Sequence, residues 1–230
     1  MWHTVLMKAT SLRARVRAEM TEEIKAAAKR HLAQEGANLS LRAVARDLGM
    51  ASSAVYRYFA SRDELLTALI IDAYDSLGAT AESAATGDGA FAQRWIDTGH
   101  AVREWALARP HEWALIYGSP VPGYAAPQDT VTSAIRVILA LAGIVAEAHA
   151  AGALPDGEPL VEPLEPEARR ITDVMAPGLP PQVAFRALGG WIQLCGAISA
   201  ELFGQLQNTV EARKEFLEFQ MRGTLTWLGL

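Results

Sequence analysis

Cysteine is almost absent. Cys195 stands alone in the chain, so no disulfide can form within it, and no Cys/His cluster has the spacing of a zinc site. Proline is missing before Pro110, so the first part of the chain holds no helix breaker of that kind. Long apolar runs are missing too. The longest, Ile135 to Ala146, is interrupted by Arg136 and falls short of the roughly 20 residues a membrane-spanning helix needs. The opening stretch MWHTVLMKATSLRARVR lacks an apolar core followed by a small-residue cleavage site, so no signal peptide is expected and the expected location is the cytoplasm. No GxSxG, HExxH or phosphate-loop pattern occurs. No cofactor, metal or membrane association is expected.

Half of the residues are apolar and 20% are charged, which suits a globular chain of one or two domains with a sizeable core. The net charge of -5 conceals an uneven distribution. Residues 1–62 carry 11 Lys/Arg against 5 Asp/Glu, whereas the rest carry 10 against 21. A basic front end on an acidic body suggests a first part that meets a polyanion. A solvated basic helix surface would give the same count.

Helical spacing runs throughout. Ile24, Ala28 and Leu32 make an amphipathic helix that stops near Gly36. Ser40 is placed to cap a helix from Leu41 to about Leu48, which Gly49 ends. Ser52 or Ser53 starts a third short helix ending near Phe59. Ser61 then caps a longer one, with Leu66, Leu69, Ile70, Ala73 and Leu77 on its inner face. Further helices are predicted over 90–109, after Pro110, over about Gln128 to Ala151 (apolar almost all round, hence central), and near 164–176. Pro180-Pro181 opens another to about Leu206, and an Asn208-x-x-Glu211 box starts the last, to about Leu228. No segment alternates as a strand does. The expected class is all-α, with a three-helix domain in residues 1–62 and a helical bundle in residues 63–230.

The stretch from Leu41 to Asp63, LRAVARDLGMASSAVYRYFASRD, carries the chemistry of the first domain. Ala45 is small where two helices cross, Gly49 supplies the turn, and Val44, Leu48, Val55 and Phe59 point inward. The second helix is thereby pushed outward, where its start can enter a major groove. Ser52 and Ser53 sit at that start, within reach of base edges, and Tyr56 offers a flat face for a thymine methyl. Ser40, Arg42, Arg57, Tyr58 and Arg62 supply phosphate-directed donors and charge around it. A helical hairpin with Tyr58 and Phe59 as core leaves the exposed serines and the basic surplus without a purpose.

Residues 20–69 resemble the DNA-binding region of the tetracycline-repressor (TetR) family of bacterial regulators. The resemblance rests on the helix ending in Gly36, the Ser40-Leu41-Arg42 start, Ala45, Leu48-Gly49, Val55-Tyr56-Arg57-Tyr58-Phe59, Arg62 and Leu65-Leu66. It implies phosphate contacts from Ser40, Arg42, Tyr58 and Arg62, and groove contacts from Ser52, Ser53, Tyr56 and Arg57. The remainder is similar to an actinobacterial subgroup with a late Trp-x-x-x-His-Gly signature. The matching stretches are Ala114-Leu-Ile-Tyr-Gly-Ser-Pro-Val-Pro-Gly-Tyr124 and Trp191-Ile-Gln-Leu-Cys-Gly196, with Cys195 where the signature has histidine.

In the body, Phe91, Trp95, Val102 and Ala106 share one helix face, and Ile96, His100, Arg103 and Leu107 share another. Trp113, Tyr117 and Trp191 add aromatic walls. An apolar cavity with a few polar groups is the form of a small-molecule site, so Trp95, His100, Arg103, Trp113, Tyr117, Trp191 and Cys195 are its candidate residues. A packed core with His100 and Arg103 at its wet edge is the plainer alternative. Gly189, Gly190, Cys195, Gly196 and Ala197 on one C-terminal helix, and Phe216, Phe219 and Trp227 around Gly223 on the other, suggest a four-helix interface with a second copy. The sequence therefore reads as a homodimeric regulator, a repressor released from a palindromic double-stranded operator by a small, mostly apolar ligand. One alternative is a DNA-binding protein of the same fold without an effector. A helical enzyme is the other, although His100, His111, His149 and Cys195 form no recognised catalytic constellation.

Overall fold

The computed structural model describes residues 2–36 and 39–230. Among the described residues every regular element is a helix, as the spacing predicts. The chain divides into two compact units, one of Met1–Asp72 with Ser119–Gln128 and one of Ala73–Gly118 with Asp129–Leu230. The packing thus divides inside a helix, later than the 62/63 boundary drawn from the end of the motif.

The first unit holds α1 (Trp2–Glu35), α2 (Leu41–Asp47), α3 (Ser52–Val55) and the start of α4 (Arg62–Ala85). Ile24, Ala27 and Ala28 of α1 are fully buried together with Val44, Ala45, Val55, Leu65 and Leu66. His31 Nε2 lies 2.8 Å from Asp47 Oδ2, which ties α1 to α2. Ser40 has the extended backbone of an N-cap, but its hydroxyl makes no capping bond. Ser61 caps α4 as expected, its Oγ accepting the Glu64 N–H at 3.1 Å. The third helix is shorter than predicted. After Val55 the N–H groups of Arg57 and Tyr58 turn to carbonyls three residues back, at 3.2 and 2.9 Å, and this tighter turn ends α3 while Phe59 still packs inside. Thr67 Oγ1 and the Tyr124 hydroxyl meet at 2.9 Å and hold the 119–128 segment to this unit.

The second unit contains the rest of α4 and α5 (Phe91–Ala108), α6 (Pro110–Tyr117), α7 (Val131–Ala134), α8 (Arg136–Ala150), α9 (Leu164–Met175), α10 (Pro181–Leu202) and α11 (Arg213–Leu228). α10 packs against α5, α6, α8, α9 and α11 and is the hub of this unit. Its length and hydropathy would suit a membrane span, but its apolar residues Val183, Ala187, Leu194 and Ile198 are buried in the bundle core. Gly190 makes the hub possible: a Cβ there would lie 2.7 Å from the Trp95 ring and 2.8 Å from Thr224 Cγ2.

Three predicted elements are corrected. The helix expected from Gln128 to Ala151 is a 3-10 turn at Gln128–Thr130, then α7, then α8, with a bend of 43° before Arg136. Arg136 bonds both Glu82 carboxylate oxygens, at 2.7 and 2.6 Å, and Asp75 Oδ1 at 2.9 Å. Gly78 lets the Arg136 stem lie flat on α4, since a Cβ there would come within 2.7 Å of it. α10 ends at Leu202, short of Leu206, and Gly204 follows with φ 78°. Asn208 does not cap the last helix. It adopts a left-handed conformation, φ 59°, which asparagine tolerates in turns, and α11 starts only after Ala212.

Candidate functional site

Leu39–Arg42, from the start of α2, face Tyr56, just past α3, and Ala60–Arg62, at the start of α4, across an open groove of about 560 Å3. Four of the residues predicted to meet DNA, Ser40, Arg42, Tyr56 and Arg62, are brought together on its lining. Ser52, Ser53 and Arg57 are exposed outside it, and Tyr56 keeps 47% of its surface open, a large aromatic face left to solvent. The local reason is the anchor pattern. Val55 and Phe59 take the inward positions of this turn, so Ser52, Ser53, Tyr56 and Arg57 are left on the outside. Arg62 is partly committed within the chain: its Nε donates to the Leu39 carbonyl at 3.2 Å, closing one end of the groove.

Tyr58 is half-buried, and the reason lies outside the motif. The Arg17 guanidinium stands 5.1 Å over its ring and donates to the Arg57 carbonyl at 2.9 Å. Arg17 is not among the predicted site residues. Its only signal in the sequence is membership of the basic stretch before the first recognisable helix.

In the second unit the candidate ligand residues separate into two sets. Tyr117 collects the aromatic ones: its ring centroid lies 4.5 Å from Trp113, 6.3 Å from Trp191 and 6.0 Å from Tyr74. The Trp113 indole N–H is satisfied by Ser199 Oγ at 3.1 Å, and the Tyr74 hydroxyl donates to the Ile116 carbonyl at 3.2 Å. Tyr117 Oη and Trp191 Nε1 are buried and form no well-aligned hydrogen bond, although the two side chains interact and Trp191 partly offsets the upward push on the phenol. Burial first, then the neighbouring Cys195 and Tyr74, push the Tyr117 phenol far above its ordinary value. Burial likewise pushes the Cys195 thiol up to about 12. Both groups are therefore neutral at physiological pH, and the cluster offers hydrogen-bonding atoms without charge.

The other set is tied elsewhere. Trp95 lies against Gly190 and Thr224 and borders a void of only about 10 Å3. His100 Nε2 is 3.4 Å from Glu218 Oε2 on α11. Arg103 forms a two-pronged pair with Glu201, at 2.7 and 2.6 Å, and both side chains are almost covered. No local pattern announces Glu201, which lies far along the chain on α10.

A helix-turn-helix with an exposed, basic reading element, followed by a separate helical unit, defines a DNA-binding transcriptional regulator. Residues 24–69 match the family described as bacterial regulatory proteins, tetR family, and residues 95–224 match the tetracyclin repressor-like, C-terminal domain. The chain belongs to the TetR family. It is 43% identical over 184 residues to the HTH-type transcriptional regulators Rv1816 of Mycobacterium tuberculosis and Mb1846 of Mycobacterium bovis, covering 77% of this chain and 78% of each relative. The solved structure of SCO4313, described as a regulatory protein, superposes with a TM-score of 0.76 at 32% identity, covering 93% of this chain and 98% of that one. A Rhodococcus sp. RHA1 protein of unknown function shares the fold at 23% identity and a TM-score of 0.68, over 91% of this chain and 95% of its own.

The Arg103–Glu201 pair generates a prediction that separates a structural from a ligand-binding role. Arg103→Ala leaves the Glu201 carboxylate buried and unpaired, which typically costs about 3–5 kcal/mol. Denaturant unfolding should show the midpoint falling with an unchanged slope. A variant as stable as the parent would count against a structural role and leave ligand binding as the reading for Arg103.

Proposed function

We propose that this regulator is a homodimeric, cytoplasmic repressor that binds a palindromic DNA operator through Ser40, Arg42, Ser52, Ser53, Tyr56, Arg57, Tyr58 and Arg62, and that a small molecule in the body releases it. The observation that carries the DNA part is the groove gathering Ser40, Arg42, Tyr56 and Arg62 beside the exposed serines of α3. Hydroxyls and guanidinium groups on the rim suit phosphate oxygens, while Ser52, Ser53 and Tyr56 are left to meet base edges. In this reading residues 1–62 are the reading head and residues 63–230 the sensing and dimerising body. No step of it requires catalysis by the chain.

A selection from random duplexes by the full-length protein tests the reading directly. An inverted repeat should be enriched, because a two-fold dimer presents two reading elements to two half-sites. Arg42→Ala should then weaken selected and random duplexes by the same factor and lower the salt slope by about one unit for each phosphate no longer neutralised. Tyr56→Ala should change the preferred sequence, at roughly 1–3 kcal/mol for each base pair no longer read. Failure to enrich any sequence would contradict the assignment.

Support for the dimer comes from one apolar face in the second unit. Phe219 and Trp227 of α11 are 73% and 55% exposed, Ile192 of α10 is 56% exposed, and Gly196 and Gly223 have nothing within 4 Å of an added Cβ. Phe219, Gly223 and Trp227 recur every four residues, so they share one stripe. Gly196→Leu should disturb the protomer's own packing little, since a Cβ there meets open space. Sedimentation should nevertheless show a shift to monomer, because overpacking a tight helix crossing typically costs about 1–3 kcal/mol. A Gly196→Leu protein that stays dimeric would move the interface to another face.

The effector reading draws on the Tyr74, Trp113, Tyr117 and Trp191 cluster, where the buried Tyr117 hydroxyl and Trp191 indole N–H have each other but no well-aligned partner. They suit a small, mostly aromatic or aliphatic molecule with one or two neutral hydrogen-bonding atoms. RolR, whose structure was solved with resorcinol, shares the fold at 16% identity and a TM-score of 0.54. Neutral phenols are therefore reasonable first probes here. A ligand at this cluster should quench tryptophan emission and weaken operator binding, and linkage requires operator DNA to weaken the ligand by the same factor. A bound phenol that leaves operator affinity unchanged would remove this cluster from the switch.

A further inference from the structure

The helix that opens the chain extends well before the recognisable regulatory domain. α1 begins at Trp2, whereas the match to the family begins at residue 24. Every residue from Leu12 to Glu19 is exposed, so this stretch adds nothing to a core. It carries Arg13, Arg15 and Arg17 against one carboxylate, Glu19, which pairs with Arg15 at 3.4 Å.

The arginines are not spread evenly around the helix. Arg13 and Arg17 are four residues apart and share one face. Arg17 fixes where that face points: its Nη2 donates to the Arg57 carbonyl at 2.9 Å, and its guanidinium covers the Tyr58 ring. Arg57 and Tyr58 lie two and three residues past α3, the element that reads DNA in the function proposed above. Arg13 therefore stands one turn, about 6 Å, beyond that contact on the same side of the helix. Among the described residues no carboxylate pairs with it. A cation displayed beside a DNA-reading element, with no carboxylate partner among the described residues, is placed to neutralise a backbone phosphate.

We propose that residues 12–19 of α1 make a second, sequence-independent contact with duplex DNA, in which Arg13 takes a backbone phosphate and Arg17 holds the extension against the reading element. The proposal rests on the DNA interface assigned to residues 40–62. A membrane surface is the rival partner, because Leu12 and Val16 are 56% and 50% exposed beside the arginines. Two aliphatic side chains are a small apolar face for an interfacial helix. The anchoring of Arg17 at the end of the reading helix favours DNA.

The test uses the full-length protein, a duplex selected by the parent, and a random duplex, titrated between about 50 and 200 mM salt. Arg13→Ala should weaken both duplexes by the same several-fold factor, lower the salt slope by about 0.9 for the one phosphate released, and leave sequence preference intact. Arg13→Lys should restore the slope, and the hydroxyl-radical footprint of Arg13→Ala should lose protection outside the region it shares with the parent. Arg17→Ala should lose more affinity than Arg13→Ala, since it releases the whole extension. Arg42→Ala serves as the reference for the interface itself. A changed slope for Arg42→Ala with an unchanged one for Arg13→Ala would overturn the extension alone. No binding of any duplex by the parent would overturn the underlying interface instead. Loss of retention on phosphatidylglycerol vesicles by Arg13→Ala, with DNA binding intact, would assign the extension to membranes and also overturn the proposal.

Discussion

The crossing of α2 over α3 is the contact on which the reading head depends. These helices have seven and four residues, far below the roughly 12–15 at which an isolated helix becomes even marginal in water. They persist because Val44, Ala45 and Val55 are fully buried, as are Ile24, Ala28, Leu65 and Leu66 of the same unit. Each buried Val, Ile or Leu side chain among them contributes about 1.5–3 kcal/mol. Ala45 leaves room for the crossing. Gly49, at φ 64°, makes the turn in a conformation that a side chain would strain. Once these residues face inward, Ser52, Ser53, Tyr56 and Arg57 have only the outside left, so the surface proposed to meet DNA follows from the core that holds the two helices.

The second unit is organised around different physics. α10 is its hub, and glycine at 190 sets how closely that hub approaches Trp95. Charge is used sparingly but tightly there: Arg136 joins α8 to α4 through Glu82 and Asp75, Arg94 joins α5 to α8 through Glu147, and Arg103 joins α5 to α10 through Glu201. The first two are partly exposed and contribute little each, whereas the covered Arg103 pair is costly to break. These pairs and the packing of α10 hold together the bundle that contains the aromatic cluster. The chain passes between the units through α4 and through the 118–129 stretch, whose Tyr124 is fastened to Thr67.

What was legible in the sequence was local. Gly36 and Gly49, the Ser61 cap and the inward Val44, Val55 and Phe59 lie within a few residues of what they control, so the helix-turn-helix could be read almost completely. The candidate DNA residues followed because exposure is the complement of that anchor pattern. Contacts between distant segments could not be read. The Arg103–Glu201 pair spans 98 positions, and the break before Arg136 depends on Asp75, Gly78 and Glu82 of another helix. Apolar spacing continues straight across Ile135, so nothing local marked the bend. The Asn208 pattern failed for another reason: asparagine followed by glutamate three residues on suits a cap, but asparagine is equally at home in a left-handed turn, and Gly204 had already ended the preceding helix. Arg17 escaped because it precedes the motif and acts on residues far along the chain.

Hydrogen–deuterium exchange of the full-length protein, with and without a saturating selected duplex, tests the central claim most directly. The groove and reading element, residues 39–62, should gain protection on DNA binding, strongest at the start of α2 and across α3. Protection confined to residues 73–118 and 129–230, with 39–62 unchanged, would contradict it.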